Sequence, residues 1–187
     1  IEEIASEAFM PFTYGGGVRN IVDAKKIFNL GVEKLVICSM AVESPLFIRE
    51  LSEQFGAQSI VVCIDVKKNF FGQSRVVSAS GRKLSKLDPV KFAIEMQEMG
   101  AGEIIIQSVA RDGSMSGYDM DLTNSISKSV ELPVVALGGA SSILDFRNVI
   151  SDSGASAAAA GAMFVFQGPH RAVLISYPDE RELKEIF

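Results

Sequence analysis

Apolar residues in this chain follow two rhythms. Short, nearly unbroken runs fall at 10–14 ("MPFTY"), 34–39 ("KLVICS"), 59–65 ("SIVVCID"), 103–108 ("EIIIQS"), 133–137 ("PVVAL") and 155–162 ("ASAAAAGA"). Runs that are β-branched and apolar throughout suit parallel strands covered on both faces. The last is rich in alanine, and only its place in the order makes it a strand. Between the runs lie segments with a helical period: 22–31, 44–56, 88–100 and 143–154. Each ends on glycine, a common helix stop. Asp88-Pro89 reads as a helix start, an N-cap followed by proline at the first helical position. Alternating strand and helix predicts βαβ units around a parallel sheet. The stretch 67–86 is too long for a simple connection, and the alternation in "RVVSASG" predicts a small hairpin there.

The pattern also repeats. Pro11, Gly16, Gly17 and Asp23 recur as Pro133, Gly138, Gly139 and Asp145, each 122 positions on. After one inserted residue, Gly31, Met40 and Val42 recur as Gly154, Met163 and Val165. A shared strand–Gly-Gly–helix–Gly–strand order indicates a duplicated supersecondary unit. Strands ending near Gly15 and Cys38 then correspond to strands ending at Leu137 and Gly161. The strands ending at Asp65 and Ser108 lie between them, and their counterparts fall before Ile1. A (β/α)8 barrel takes about 250 residues. The expectation is therefore a single α/β domain over 1–187: a TIM barrel of duplicated half-barrels, represented by about its last six βα units. Six parallel strands leave the sheet open beside the runs at 10–14 and 155–162.

Bulk properties narrow the function. The 187 residues are 48% hydrophobic, enough for one core, and the net charge of −5 argues against a nucleic-acid partner held through phosphates. Two cysteines outside a C-x-x-C spacing, Cys38 and Cys63, read as reduced core thiols of a cytoplasmic protein. A single histidine, His170, excludes histidine-cluster metal sites, and no metal or other cofactor is expected. No apolar span approaches the length of about 18 residues that a membrane helix needs.

In such a barrel the C-terminal ends of the strands form the active face. Candidates there are Gly15-Gly16-Gly17, Cys38-Ser39, Asp65, Ser108 to Gly113, Gly138-Gly139 and Gly161-Ala162. Glycine turns let backbone N–H groups approach an anion, and two symmetric turns point to two phosphate cradles. Any one glycine pair is also explained by ordinary loop geometry. Asp65 closes an apolar run, where partly apolar walls would raise its pKa toward acid–base use. A capping or ion-paired role beside Lys67 and Lys68 is an equal alternative.

The segments "PFTYGGGV", "GAQSIVVCIDVKK", "GAGEIIIQSVARDGSMSGYD" and "VVALGGASS" resemble the cyclase subunit of imidazole glycerol phosphate synthase, the HisF family. The resemblance covers essentially the whole chain. It implies a duplicated barrel and a substrate bearing two phosphates. It implies ammonia received from a HisH-like glutaminase on the bottom face, and two aspartates, one per half, for cyclisation and cleavage. On this resemblance Asp65 is the second-half catalytic aspartate; its twin belongs to a strand before Ile1, so the chain alone is expected to be inactive. One phosphate falls to Gly17, Cys38 and Ser39, the other to Gly113, Gly139, Gly161 and Ala162. Asp112 and Ser80-Gly81 match substrate-lining positions. Lys34 and Glu103 match a charged ammonia gate, although two solvated rim charges would look the same in sequence.

Departures from the family pattern are specific. The family has Asn-Thr where this chain has Cys38-Ser39, serine where it has Leu137 and Ala162, and often an acid where it has Ala110. The stretch 161–178 resembles a branch linked to acetamidino modification of surface-polysaccharide sugars. Three functions follow: the histidine-pathway cyclase, the polysaccharide paralogue, and a degenerate barrel that only scaffolds a glutaminase. The sister isomerase of histidine synthesis shares the half-barrel repeat but needs no ammonia gate.

Overall fold

The structure, a computed structural model, describes residues 2–7, 10–78, 83–168 and 170–186. In chain order it runs α1 (Glu2–Glu7), β1 (Thr13–Gly15), α2 (Ile21–Asn29), β2 (Lys34–Ile37), α3 (Ser39–Glu43), α4 (Pro45–Phe55), a single 3-10 turn (Ala57–Ser59) and β3 (Ile60–Lys68). It continues with β4 (Ser74–Ser78), β5 (Lys83–Leu84), α5 (Pro89–Glu98), β6 (Glu103–Ser108), α6 (Met120–Ser127), β7 (Val134–Leu137) and α7 (Ile143–Ser151). It ends with β8 (Ala157–Ala159), α8 (Ala162–Val165), β9 (Phe166–Gln167), β10 (Ala172–Val173) and α9 (Glu180–Ile186).

Six strands form one parallel path, β1-β2-β3-β6-β7-β8, with helices between them. This is a partial (β/α)8 barrel, and β1 and β8 stand at the two ends of the path. Burial alternates along the strands. In β2 and β6 every second residue is fully covered: Leu35 and Ile37, then Ile104, Ile106 and Ser108. These face the helices and meet Ile48, Leu51, Phe92, Met96 and Ile126 in the main core. Each of the leucine and isoleucine side chains contributes about 1.5–3 kcal/mol by leaving water. The opposite, concave face carries Val36, Cys63, Asp65 and Gln107, which line an open cavity. A second, smaller core forms under β7 and β8 from Tyr118, Ala136, Phe146 and Val149.

The duplication is visible in the backbone. Helices α2 and α7 each have nine residues and begin 122 positions apart. Gly16 and Gly17 have φ of 121° and 71°; Gly138 and Gly139 have 94° and 108°. These left-handed values favour glycine, so both turns needed it twice over. Gly31 and Gly154, at 89° and 71°, repeat the helix stop. Both helix starts are capped by the third residue in: Asn20 with Asp23, and Ser142 with Asp145.

Boundaries shift where propensity yields to packing. The run at 155–162 is a strand only over Ala157–Ala159, and Ala162 already opens α8. The segment at 44–56 begins as a helix only at Pro45, behind the separate short helix α3. The strand after 59 extends to Lys68 because its end pairs antiparallel with β4, which pairs in turn with β5. This is the hairpin expected in 67–86, and Phe70 and Phe71 stand exposed at its tip. Among the described residues no helix is long and apolar enough to cross a membrane.

Candidate functional site

The C-terminal ends of β1, β2, β3 and β6 surround a cavity of about 730 Å³. Gly15-Gly16-Gly17, Cys38, Ser39 and Asp65 all line it, so the first predicted cluster is one place. Cys38 is the N-cap of α3 and Ser39 its first residue. Nothing lies within 4 Å of where a Cβ would stand on Gly16 or Gly17, which leaves that backbone open to a ligand.

Asp65 is 8% exposed and sits on the concave face of β3. Cys63, two residues earlier on the same face, places its Sγ 3.5 Å from Asp65 Oδ1. Burial raises the Asp65 pKa, and the Asp112 charge adds to this, while hydrogen bonds from Cys63 and Cys38 oppose it. The hydrogen bond with Cys38, then burial, pushes the Cys63 thiol up in turn. Lys67 and Lys68 are exposed and form no ion pair with Asp65. The capping or ion-paired alternative for Asp65 therefore has no structural basis. The thiols also differ from the expectation. Cys63 is buried, but Cys38 is only partly covered and opens on the cavity, because it follows the last residue of β2.

The second cluster also assembles. Asp112, Gly113, Leu137, Gly138, Gly139, Gly161 and Ala162 line a narrow cleft at the ends of β7 and β8. Gly161 is the N-cap of α8 and Ala162 its first residue, as Cys38 and Ser39 are for α3. A Cβ on Gly139 would overlap the Gly117 carbonyl, so the close approach of two loops requires glycine there. The Gly117 N–H donates to Gly139 O at 2.7 Å and holds the loops together. Tyr118, buried at 4%, donates its hydroxyl to Ala159 O at 2.8 Å and pins the end of β8. Burial, and then the Asp145 charge, raise its pKa. The Arg171 guanidinium donates to the Gly113 carbonyl and stacks 5.2 Å from the Phe166 ring centre.

Gln107 links the clefts. It pairs with Asp65 in the β3–β6 register, lines the first cavity, and donates Nε2 to Asp112 Oδ2 at 3.0 Å. Neither Gln107 nor Cys63 stands out as a site residue in the sequence. A signal exists in each case: Gln107 is the polar residue inside "EIIIQS", in phase with Glu103, and Cys63 is in phase with Asp65. Period two puts each pair on one face.

At the other end of the strands, Lys34 opens β2 and Glu103 opens β6. Lys34 Nζ lies 2.6 Å from Glu103 Oε2, with side chains 38% and 20% exposed. They are an ion pair reaching past β3, not two separately solvated charges. Glu103 and Gln107 are four positions apart on β6, roughly 13 Å along the sheet. Ser80 and Gly81 lie outside the described residues.

Residues 1–170 match the protein family described as "Histidine biosynthesis protein". The chain is similar to the "Putative imidazole glycerol phosphate synthase subunit hisF2" of Pseudomonas aeruginosa, with 45% identity over 98% of this chain and 73% of that protein. It is 41% identical to the corresponding "hisF3" protein of Vibrio vulnificus, over 99% of this chain and 72% of that one. The "Imidazole glycerol phosphate synthase subunit HisF" of Alkaliphilus metalliredigens is 39% identical over 88% of this chain and 65% of its own length.

Proposed function

This chain belongs to the histidine biosynthesis protein family, with HisF-like relatives, and from that membership we propose that it is the synthase subunit of a glutamine amidotransferase complex. It receives ammonia from a HisH-like glutaminase on its bottom face. It uses the ammonia to convert a bis-phosphorylated ribosyl-formimino carboxamide into imidazole glycerol phosphate and AICAR. The setting is cytoplasmic.

One observation carries this reading: Asp65, buried and with a raised pKa, lies beside one glycine-turn cleft and is joined through Gln107 and Asp112 to the other. A substrate with a phosphate at each end would be held at both clefts by backbone N–H groups. Its reacting centre would then fall near Asp65. A carboxyl group whose pKa is raised by burial is suited to give and take protons, as ring closure and bond cleavage require. Ammonia would enter past Lys34 and Glu103 and travel the concave face, roughly 13 Å, to reach it. The whole chain acts as one domain in this scheme.

Two side chains of the second cleft favour a second reading. Leu137 and Ala162 present no hydroxyl to an anion there, which fits a paralogue acting on a different substrate, the acetamidino modification of a polysaccharide sugar. A scaffold that only activates a glutaminase is the non-enzymatic alternative. Turnover of the ribosyl-formimino carboxamide by the full protein with ammonium salt supports the cyclase. Ammonium-dependent turnover of a sugar alone supports the paralogue, and no turnover with stimulated glutaminase supports the scaffold.

A further inference from the structure

On β3 the side chains of Cys63 and Asp65 leave the same face, two residues apart. The last β2–β3 pair, Ile37 with Val62, carries the register on to Cys38 beside Cys63. The two thiol sulfurs and an Asp65 carboxylate oxygen all lie within 4.8 Å of one another. They are the only two cysteines of the chain. We propose that Cys38, Cys63 and Asp65 form a binding site for a thiophilic divalent cation of the Zn2+ class, with its fourth coordination position open to the cavity.

The geometry suits zinc. Zn–S bonds of about 2.3 Å and Zn–O bonds of about 2.0 Å give tetrahedral S···O edges of about 3.5 Å and S···S edges of about 3.8 Å. The Cys63–Asp65 edge is already 3.5 Å. All three donors fall within 4.8 Å, so closing the set takes side-chain adjustments of about an ångström. Two donors are fixed by a strand with neighbours on both sides, while Cys38 caps a short helix and is partly open. Entry from the cavity is therefore unobstructed by sheet packing. The donor set selects the metal as well. Thiolates favour zinc over magnesium or calcium, which want six or more oxygens, and the carboxylate disfavours copper(I). Three protein ligands with one open position is the pattern of sites where zinc holds water or a substrate atom.

The site stands whether or not the cyclase assignment does, because its test reads binding and not turnover. In that assignment the cation acts as an inhibitor that competes with acid–base work by Asp65, since a coordinated carboxylate cannot exchange protons, and the metal-free protein is the active form.

The test uses the full protein with its thiols reduced and counted, titrated with Co2+ and then Zn2+, with Mg2+ as a control. The expected result is one equivalent of Co2+ giving a thiolate-to-cobalt charge-transfer band and the strong visible bands of tetrahedral cobalt, both bleached by Zn2+. The Cys38→Ser/Cys63→Ser double variant should lose the charge-transfer band. It should weaken Zn2+ binding by at least about 100-fold, beyond what loss of an outer-shell partner costs. Asp65→Asn should weaken binding while keeping the charge-transfer band. Thermal unfolding of the metal-free variants checks that each is folded. A weak octahedral cobalt spectrum, or zinc affinity unchanged in the double variant, overturns the site.

Discussion

Lys34 Nζ meets Glu103 Oε2 at 2.6 Å across the start of β3, at the end of the sheet opposite Asp65. Both side chains keep part of their surface in water, so the pair contributes little to stability, about 0–1 kcal/mol. Its position at the N-terminal end of the strands suits control of entry. Lys34→Ala should leave thermal unfolding nearly unchanged and keep most of the turnover supported by added ammonium salt. Glutamine-supported turnover with the partner should fall, or ammonia should escape to solvent. The measurement is the ratio of the two activities in one preparation. An unchanged ratio would leave the pair as surface electrostatics only.

Asp65→Asn separates chemistry from delivery. The substitution is nearly isosteric and removes a buried charge, so thermal stability should not drop. A positioned acid–base group contributes roughly 10²–10⁴-fold, and ammonium-dependent turnover should fall by about that factor. Substrate KM should change little, because in the proposed scheme the phosphates would be held by the glycine turns and not by Asp65. Near-wild-type turnover would remove Asp65 from the mechanism and favour the scaffold reading.

Two glycines in the second cleft test the anion site against the fold. Gly161 has φ of −123°, and nothing stands within 4 Å of a Cβ placed there. Gly161→Ala should fold normally yet crowd the cradle, weakening inorganic phosphate binding by calorimetry. Gly139 has φ of 108°, and its Cβ would overlap the Gly117 carbonyl. Gly139→Ala should therefore cost stability outright, by about 1–3 kcal/mol or more from the backbone conformation alone. Equal phosphate affinity in Gly161→Ala and wild type would mean that this turn is loop geometry.

The sequence displayed the repeat, the parallel strands and the glycine turns at their ends, because glycine positions and apolar runs of strand length are local signals. Gly16, Gly17, Gly138 and Gly139 announced two left-handed turns. Asp65 was visible as a charge at the end of an apolar run. What lay beyond reach depended on register. Cys38 and Cys63 are 25 positions apart, and only the β2–β3 pairing brings them together. Gln107 gains its meaning from Asp65 on the next strand and Asp112 on the following loop. Helix α6, with only eight residues, carries too short an apolar stripe to stand out, and its start is fixed by Asp119 accepting from Leu122 N.

The last expectation concerns acid. Asp145 accepts from Ser141 N at 2.8 Å, Ser141 Oγ at 2.7 Å and Ser142 N at 3.1 Å, closing the capping box at the start of α7. Burial alone would raise its pKa, but the Ser141 and Ser142 hydrogen bonds outweigh burial and hold it below the usual carboxylate range. A depressed folded pKa means that the stabilisation is present above the unfolded value of about 3.9 and is lost as pH falls through the folded value. Asp145→Ala should cost about 1 kcal/mol near neutral pH, the usual worth of such a cap. The gap from wild type should narrow steadily below about pH 4. Its counterpart Asp23 accepts a side-chain bond from Asn20 alone, at 2.9 Å, so Asp23→Ala should cost less. Denaturant unfolding of both variants at pH 7 and at about pH 3 reads all four values. A gap for Asp145→Ala that stays constant down to the lower pH would show that the carboxylate's charge does not support the cap.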